Sequence, residues 1–348
     1  MESKVGKYYI LREIASGQFG TVYMCRLANS AKLFAVKEQK IESLNPEKKY
    51  TLDEIKSELD DESISELDIS MNIKSEWLPK VYEIFIEKGA LYIVSELLGK
   101  SVDSVFVRQS QNSKEQPSDE TLAEMKRVIK DSLKGLCVLH EKNYVHSDFR
   151  PYNILTTGVV ILDSLEVLNP QGTKEFTIKE FEDANKKDKH ISAKLIDFGL
   201  CHDIYSDTYL NNIIRPYKSL EAIFDLEPDQ KQDIWALGCT VFEMLTGDDI
   251  FPVKAWGGLT KDEDHLISIK EIVGDPLKKI KSNKFNHLKP ILNSVLEYPL
   301  EDILIETYGW EIDSPQLKLF SNFILRCLTL SVRNRPTAQS LLEDPLFD

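Results

Sequence analysis

The sequence predicts an α+β chain of two lobes, a β-rich one over residues 1–97 and a mainly helical one over residues 98–348. Short β-rich runs separated by Gly, Asn and Ser fill the first part, whereas apolar residues recur at helical spacing after it. The length of 348 residues and a hydrophobic content of 42% suffice for two cores.

In chain order, Tyr8–Ile14, Thr21–Leu27 and Lys32–Val36 read as strands. Between the first two lies Ile14-Ala15-Ser16-Gly17-Gln18-Phe19-Gly20-Thr21-Val22. Its glycines would let a hairpin backbone approach a phosphate and turn N–H groups toward it, although such a pair alone is more often an ordinary turn. A charged stretch from Lys40 to about Asp61 gives way to Ile64, Leu67, Ile69, Met71 and Ile73, which have helical spacing. Val81–Glu87 and Ala90–Glu96 read as a hairpin, and Leu97–Lys100 as the hinge between the lobes. Pro117-Ser118-Asp119 is a helix start, followed by Leu122, Met125, Ile129, Leu133 and Leu136 on one face. Asp233–Thr246 and Gln316–Leu330 are further helices. Residues 156–190 read as an irregular, charged spacer with a loop signal at Asn169-Pro170-Gln171-Gly172. Its lysine-rich tail, Asn185–His190, reads as a solvated loop in preference to a nuclear-import signal.

Composition narrows the function classes. Five scattered cysteines without CxxC spacing fit a reduced intracellular chain better than a disulfide framework or a zinc site. There is no apolar run of about 18 residues, so no spanning helix is expected. The start, MESKVGKYYI, lacks the apolar core of a signal peptide. A net charge of −14 opposes general nucleic-acid binding and permits a basic partner. A cytoplasmic or nuclear monomer is the expectation.

Three motifs carry chemistry. Phe34-Ala35-Val36-Lys37 lies one strand after the glycine pair; HSDFRPYN occupies His146–Asn153; LIDFG occupies Leu195–Gly199. In that order they resemble the phosphate-binding lysine strand, catalytic loop and magnesium loop of eukaryotic protein kinases. The resemblance runs from about Tyr9 to Phe347. Within the superfamily the chain resembles the SR-protein kinases, through Arg215-Pro216-Tyr217-Lys218-Ser219-Leu220-Glu221 and through Thr246-Gly247-Asp248, Asp262–Gly274, Leu288-Lys289-Pro290 and Tyr308-Gly309-Trp310.

That resemblance implies a bilobal protein kinase fold and transfer of the ATP γ-phosphate, with Mg²⁺, to serines of basic Arg/Ser-rich proteins. Ile14, Ala15, Ser16, Gly17, Gln18, Phe19, Gly20 and Val22 would cover the nucleotide, with Ser95 as gatekeeper and Glu96 in the hinge. Lys37 would contact the phosphates, held by Glu66, with Glu54 as the alternative partner. Asp148 would be the base, Arg150 a cation near the γ-phosphate where lysine is usual, and Asn153 and Asp197 the Mg²⁺ ligands. Asp233 would brace the catalytic loop, and Arg335 would pair with Glu221. Asp248, Asp264 and Glu271 match the acidic positions of a docking groove for arginine-rich peptides.

Besides Arg150, four positions depart from the pattern. Ala15 replaces a glycine, Ser147 the arginine of the catalytic loop, Tyr152 a glutamate, and Ile214 a threonine. Ala15, Tyr152 and Ile214 keep two competing readings in view, a kinase-fold scaffold and a kinase with another substrate, whereas Ser147 implies activity without activating phosphorylation. The small gatekeeper yields a prediction. Bulky C3-substituted ATP mimics should inhibit the wild type and lose potency against Ser95→Phe, in parallel dose–response curves; equal potency would contradict it.

Overall fold

The computed structural model describes residues 4–17, 20–157, 165–185, 192–205, 213–227, 229–255, 257–280 and 282–348. The chain divides into two compact units, Met1–Lys100 with Leu155–Gly199, and Ser101–Ile154 with Leu200–Asp348. This differs from the single boundary expected after residue 97, because the spacer returns to the first unit.

The first unit is built on a six-stranded antiparallel sheet in the order β1-β2-β3-β4-β6-β5. Its strands are β1 (Lys4–Val5), β2 (Tyr8–Gly17), β3 (Gly20–Leu27), β4 (Leu33–Lys40), β5 (Val81–Glu87) and β6 (Ala90–Glu96). Two helices, α1 (Leu52–Lys56) and α2 (Asp61–Asn72), lie between β4 and β5 in the chain. Val5, Tyr8, Cys25, Phe34, Val36, Tyr92 and Val94 form one core cluster. A one-residue slip would turn such residues to the opposite face, so register follows from burial. It pairs Val22 with Lys37 and Lys37 with Ile93.

The spacer is not irregular throughout. It contains helices Leu165–Leu168 and Ile178–Ala184, the second with a Thr177/Glu180 capping box. Leu168 and Phe181 are fully buried in a second cluster with Met24, Ala31, Leu33 and Leu97. A buried arginine explains the attachment. Arg26 of β3 donates to the carbonyls of Leu27 and Ala28 at 3.2 Å and of Lys174 at 2.8 Å, and to Thr173 Oγ1. Its guanidinium lies 5.3 Å from the Phe176 ring centre. Asn185 accepts from the Leu33 amide at 2.8 Å and donates to the Ala31 carbonyl at 2.9 Å. The rest of the lysine-rich tail, residues 186–190, lies outside the described residues.

The second unit is mainly helical. Helix Asp119–Glu141 starts where Ser118 Oγ accepts from the Thr121 amide, and it buries Leu122, Met125, Ile129, Leu133 and Leu136 as the spacing predicts. Helix Lys231–Thr246 is buried from Gln232 onward and ends at Gly247, whose φ is 79°. Arg335 donates to Glu221 through two nitrogens, at 2.6 and 3.0 Å, and also to the Lys231 carbonyl at 2.8 Å. Among the described residues, no helix is long and apolar enough to cross a membrane.

On the buried helix, Glu243 accepts from the Tyr217 hydroxyl. Burial outweighs that bond and pushes the Glu243 carboxyl up to about 7. Between its ordinary value and about 7 the folded chain therefore holds more protons than the unfolded one, and this group's contribution to stability falls as pH rises. Glu243→Gln removes the effect. Denaturant titrations should show the variant gaining up to about 3 kcal/mol over wild type at pH 8 and little at pH 4.5. Parallel pH curves for the two proteins would contradict this.

Candidate active site

In the first unit, strand alternation presents Lys37, and α2 presents Glu66. Lys37 Nζ donates to both carboxylate oxygens of Glu66, at 2.7 and 2.5 Å. Glu66 is only 7% exposed, and Gln39 Nε2 also donates to it at 2.8 Å. Burial pushes the Glu66 carboxyl up, and Lys37 opposes that shift. Glu54, the alternative partner, closes the Thr51 capping box of α1 instead.

Asp197 Oδ1 lies 4.0 Å from Lys37 Nζ. Its backbone is left-handed, with φ 65°, an uncommon conformation for a residue other than glycine. The same oxygen is buried and accepts no hydrogen bond. A desolvated carboxylate oxygen without a donor has the chemistry a hard divalent cation takes, so the residues present fit Mg²⁺.

The glycine hairpin closes across β2 and β3, pairing Ala15 with Val22, Ser16 with Thr21 and Gly17 with Gly20. A Cβ at Gly20, where φ is 116°, would lie 2.1 Å from the Glu38 carbonyl oxygen, so only glycine fits. At Gly17 a Cβ would meet open space. Ile14 is 38% exposed for a large apolar side chain. Gln18 and Phe19 lie outside the described residues. On β6, Ser95 pairs with Ala35. The Glu96 side chain accepts from the Lys80 amide at 2.9 Å and from Lys194 Nζ at 2.5 Å, and its own amide donates to the Lys80 carbonyl at 3.0 Å.

In the second unit, the catalytic loop hangs on Asp233. This carboxylate is fully buried and accepts from the amides of His146 at 2.8 Å and Ser147 at 2.9 Å, and from His140 Nε2 at 2.8 Å. A carboxylate only accepts, so His140 carries its proton on Nε2. Burial alone would raise the Asp233 carboxyl, but the His140 and His146 interactions outweigh it and hold it below its ordinary value. Asp148 is 7% exposed. It accepts from Asn153 Nδ2 at 2.5 Å and pairs with Arg150 Nε at 3.0 Å. Asn153 Nδ2 also donates to the Asp148 carbonyl at 2.9 Å, so the amide oxygen is the end suited to a cation. Tyr152 is 49% exposed, with the Arg150 guanidinium 5.5 Å from its ring centre. Ser147 Oγ, where kinases carry arginine, lies 3.1 Å from His202 Nδ1.

The three acidic positions differ from one another. Asp248 is exposed and accepts from the Tyr308 hydroxyl at 3.1 Å. Glu271 is exposed, and its carboxyl is pushed up by partial burial and by Asp264. Asp264 is buried and accepts from the amides of Lys254 at 2.7 Å and Ala255 at 2.9 Å. It thereby holds a turn in which Ala255 has φ 57°.

Two contributors escaped the sequence reading. Gln39 stands two residues from Lys37, so the period of two along a strand places both on one face. His140 carries no local signal, because its partner is ninety-three positions away. Asp233→Asn exchanges an acceptor for a donor against the loop and should destabilise the chain by about 2–4 kcal/mol, read as a lower urea midpoint. An unchanged midpoint would contradict the bracing.

Comparisons with known proteins give the family. A model described as the protein kinase domain matches residues 8–347. Serine/threonine-protein kinase SKY1 of Saccharomyces cerevisiae is 31% identical over 173 residues, 47% of this chain and 23% of the relative. Meiosis induction protein kinase IME2/SME1 of the same yeast is 26% identical over 287 residues, 78% of this chain and 40% of the relative. Human cyclin-dependent kinase-like 5 is 24% identical over 351 residues, 97% of this chain and 30% of the relative. The chain thus spans less than half the length of these relatives. The crystal structure titled as the PF14_0431 kinase domain superposes with a TM-score of 0.65 at 20% identity, over 100% of this chain and 99% of that one, and shows the fold. The chain belongs to the protein kinase family.

Proposed function

We propose that the chain is an ATP-dependent serine/threonine kinase acting on Arg/Ser-rich proteins. The observation that carries the kinase reading is the closed Lys37–Glu66 pair beside a buried Asp197 oxygen with no donor. Lys37, kept in place by Glu66, would donate to the nucleotide phosphates. Asp197 and Asn153 would hold Mg²⁺, which neutralises phosphate charge when bound.

The remaining chemistry belongs to the catalytic loop. Asp148 takes the proton of a substrate hydroxyl as its oxygen bonds to the γ-phosphorus and the bond to the β-phosphate oxygen breaks, leaving ADP. Arg150 pairs with Asp148 at 3.0 Å. A γ-phosphate is a stronger partner for a guanidinium, and drawing Arg150 to it leaves the Asp148 carboxylate for the hydroxyl. Asp233 keeps the loop backbone in place throughout.

The substrate reading rests on the acidic positions and on the family resemblance. Asp248 and Glu271 are exposed, whereas Asp264 is committed to its turn, so a guanidinium would meet the first two. A cation near Glu271 would also oppose the burial and the Asp264 charge that raise its carboxyl.

Transfer from Mg-ATP to an Arg-Ser repeat peptide, beside a proline-directed and an acidic peptide, tests both levels. Selective transfer to the Arg-Ser peptide is expected, falling about a hundred-fold or more in Asp148→Asn. Preference for another peptide would keep the kinase and discard the substrate. Transfer to none of them, with ATP still bound, would favour a kinase-fold scaffold.

A further inference from the structure

We infer that residues 41–59 act as a built-in brace that keeps Glu66 on Lys37, with Ile55 and Lys56 as positioning residues. The inference rests on the proposed function only where phosphate transfer is the readout.

Helix α2 needs such a brace. It has 12 residues, most of them polar, and its buried apolar side chains are Leu67 and Ile69. A helix of that length is marginal by itself. Its task is also unfavourable, since it must hold a carboxylate out of water that burial drives toward protonation. A desolvated ion pair adds little net stability, so the packing around it has to hold it closed.

The segment before α2 supplies that packing. Ile41, Leu44 and Ile55 form one buried cluster with Leu67 of α2 and Leu91 of β6. Ile55, Leu67 and Leu91 are each fully buried. Lys56 Nζ pairs with Asp68 Oδ1 at 3.0 Å, joining α1 to α2 directly. The segment is itself tied down at its start and held by bonds within it. The Ile41 amide donates to the Gly89 carbonyl at 3.1 Å, in the turn between β5 and β6. Thr51 and Glu54 close a capping box on α1, and the Tyr50 hydroxyl accepts from the Asn45 amide at 2.9 Å. Leu67 and Asp68 directly follow Glu66 on the helix. α2 cannot turn Glu66 away from Lys37 without pulling Leu67 out of the cluster and Asp68 off Lys56. The Lys–Glu pair is thus seated by residues 41–59 of the same chain.

A double-mutant cycle separates positioning from plain stability. Kinetics and ATP affinity are measured for wild type, Ile55→Ala, Glu66→Gln and the double variant, all as full chains. Ile55→Ala should lower kcat/KM for ATP about ten-fold in the wild-type background and under about two-fold beside Glu66→Gln, while Ile55→Val stays near wild type. Equal losses in both backgrounds would overturn the brace. If Ile55→Ala does not fold, the half-exposed pair decides. Lys56→Glu should weaken ATP binding about three-fold, and the swap Lys56→Glu/Asp68→Lys should restore it; a swap that restores nothing overturns the inference. A wild type that transfers no phosphate to any peptide would count against the proposed function alone, because the same cycle read calorimetrically in ATP affinity still tests the brace.

Discussion

A charge removed from water must be met by another charge or by hydrogen bonds, and this constraint places most of the chemistry-bearing residues. Glu66 is met by Lys37 and Gln39. Asp233 is met by two loop amides and His140. Glu221 is met by both terminal nitrogens of Arg335. Removing one partner of such a set leaves the other stranded, at several kcal/mol by order of magnitude. The exception is informative. Asp197 Oδ1 is buried and accepts no hydrogen bond, with Lys37 Nζ 4.0 Å away. An unmet demand of that kind, on a residue with a left-handed backbone, is the one we propose a cation meets.

Burial also explains the two charged segments that attach to the sheet of the first unit. The spacer attaches to the first unit because a terminal nitrogen of Arg26, buried in a strand, finds its acceptors on Thr173 and Lys174. The stretch before α2 is charged in sequence yet hides Ile41, Leu44 and Ile55. In both, a few apolar side chains among many charged ones are enough, because the sheet offers them an existing apolar surface.

Legibility followed periodicity. The hairpin Val81–Glu87 and Ala90–Glu96 was readable residue for residue, since two β-rich runs meet at Lys88-Gly89. The amphipathic face of Asp119–Glu141 was readable for the same kind of reason. Glu66 could be preferred to Glu54 because apolar residues on one helical face follow it, whereas Glu54 sits in a charged run. The docked spacer was not readable. Leu168, Phe176 and Phe181 are too sparse to set a period, and nothing marks Arg26 as a buried strand arginine. Asp264 was legible as an acid but not as the clamp of a strained turn, because that turn is defined by backbone angles around Ala255.

The central claim is that the chain takes its nucleotide as a magnesium complex through Asp197. Calorimetric titration of ATP into wild type and Asp197→Ala, each with and without Mg²⁺, tests it most directly. The account predicts that Mg²⁺ tightens ATP binding to wild type and has no such effect in the variant. ATP binding that is indifferent to Mg²⁺ in wild type, or equally tightened by it in Asp197→Ala, would contradict the account.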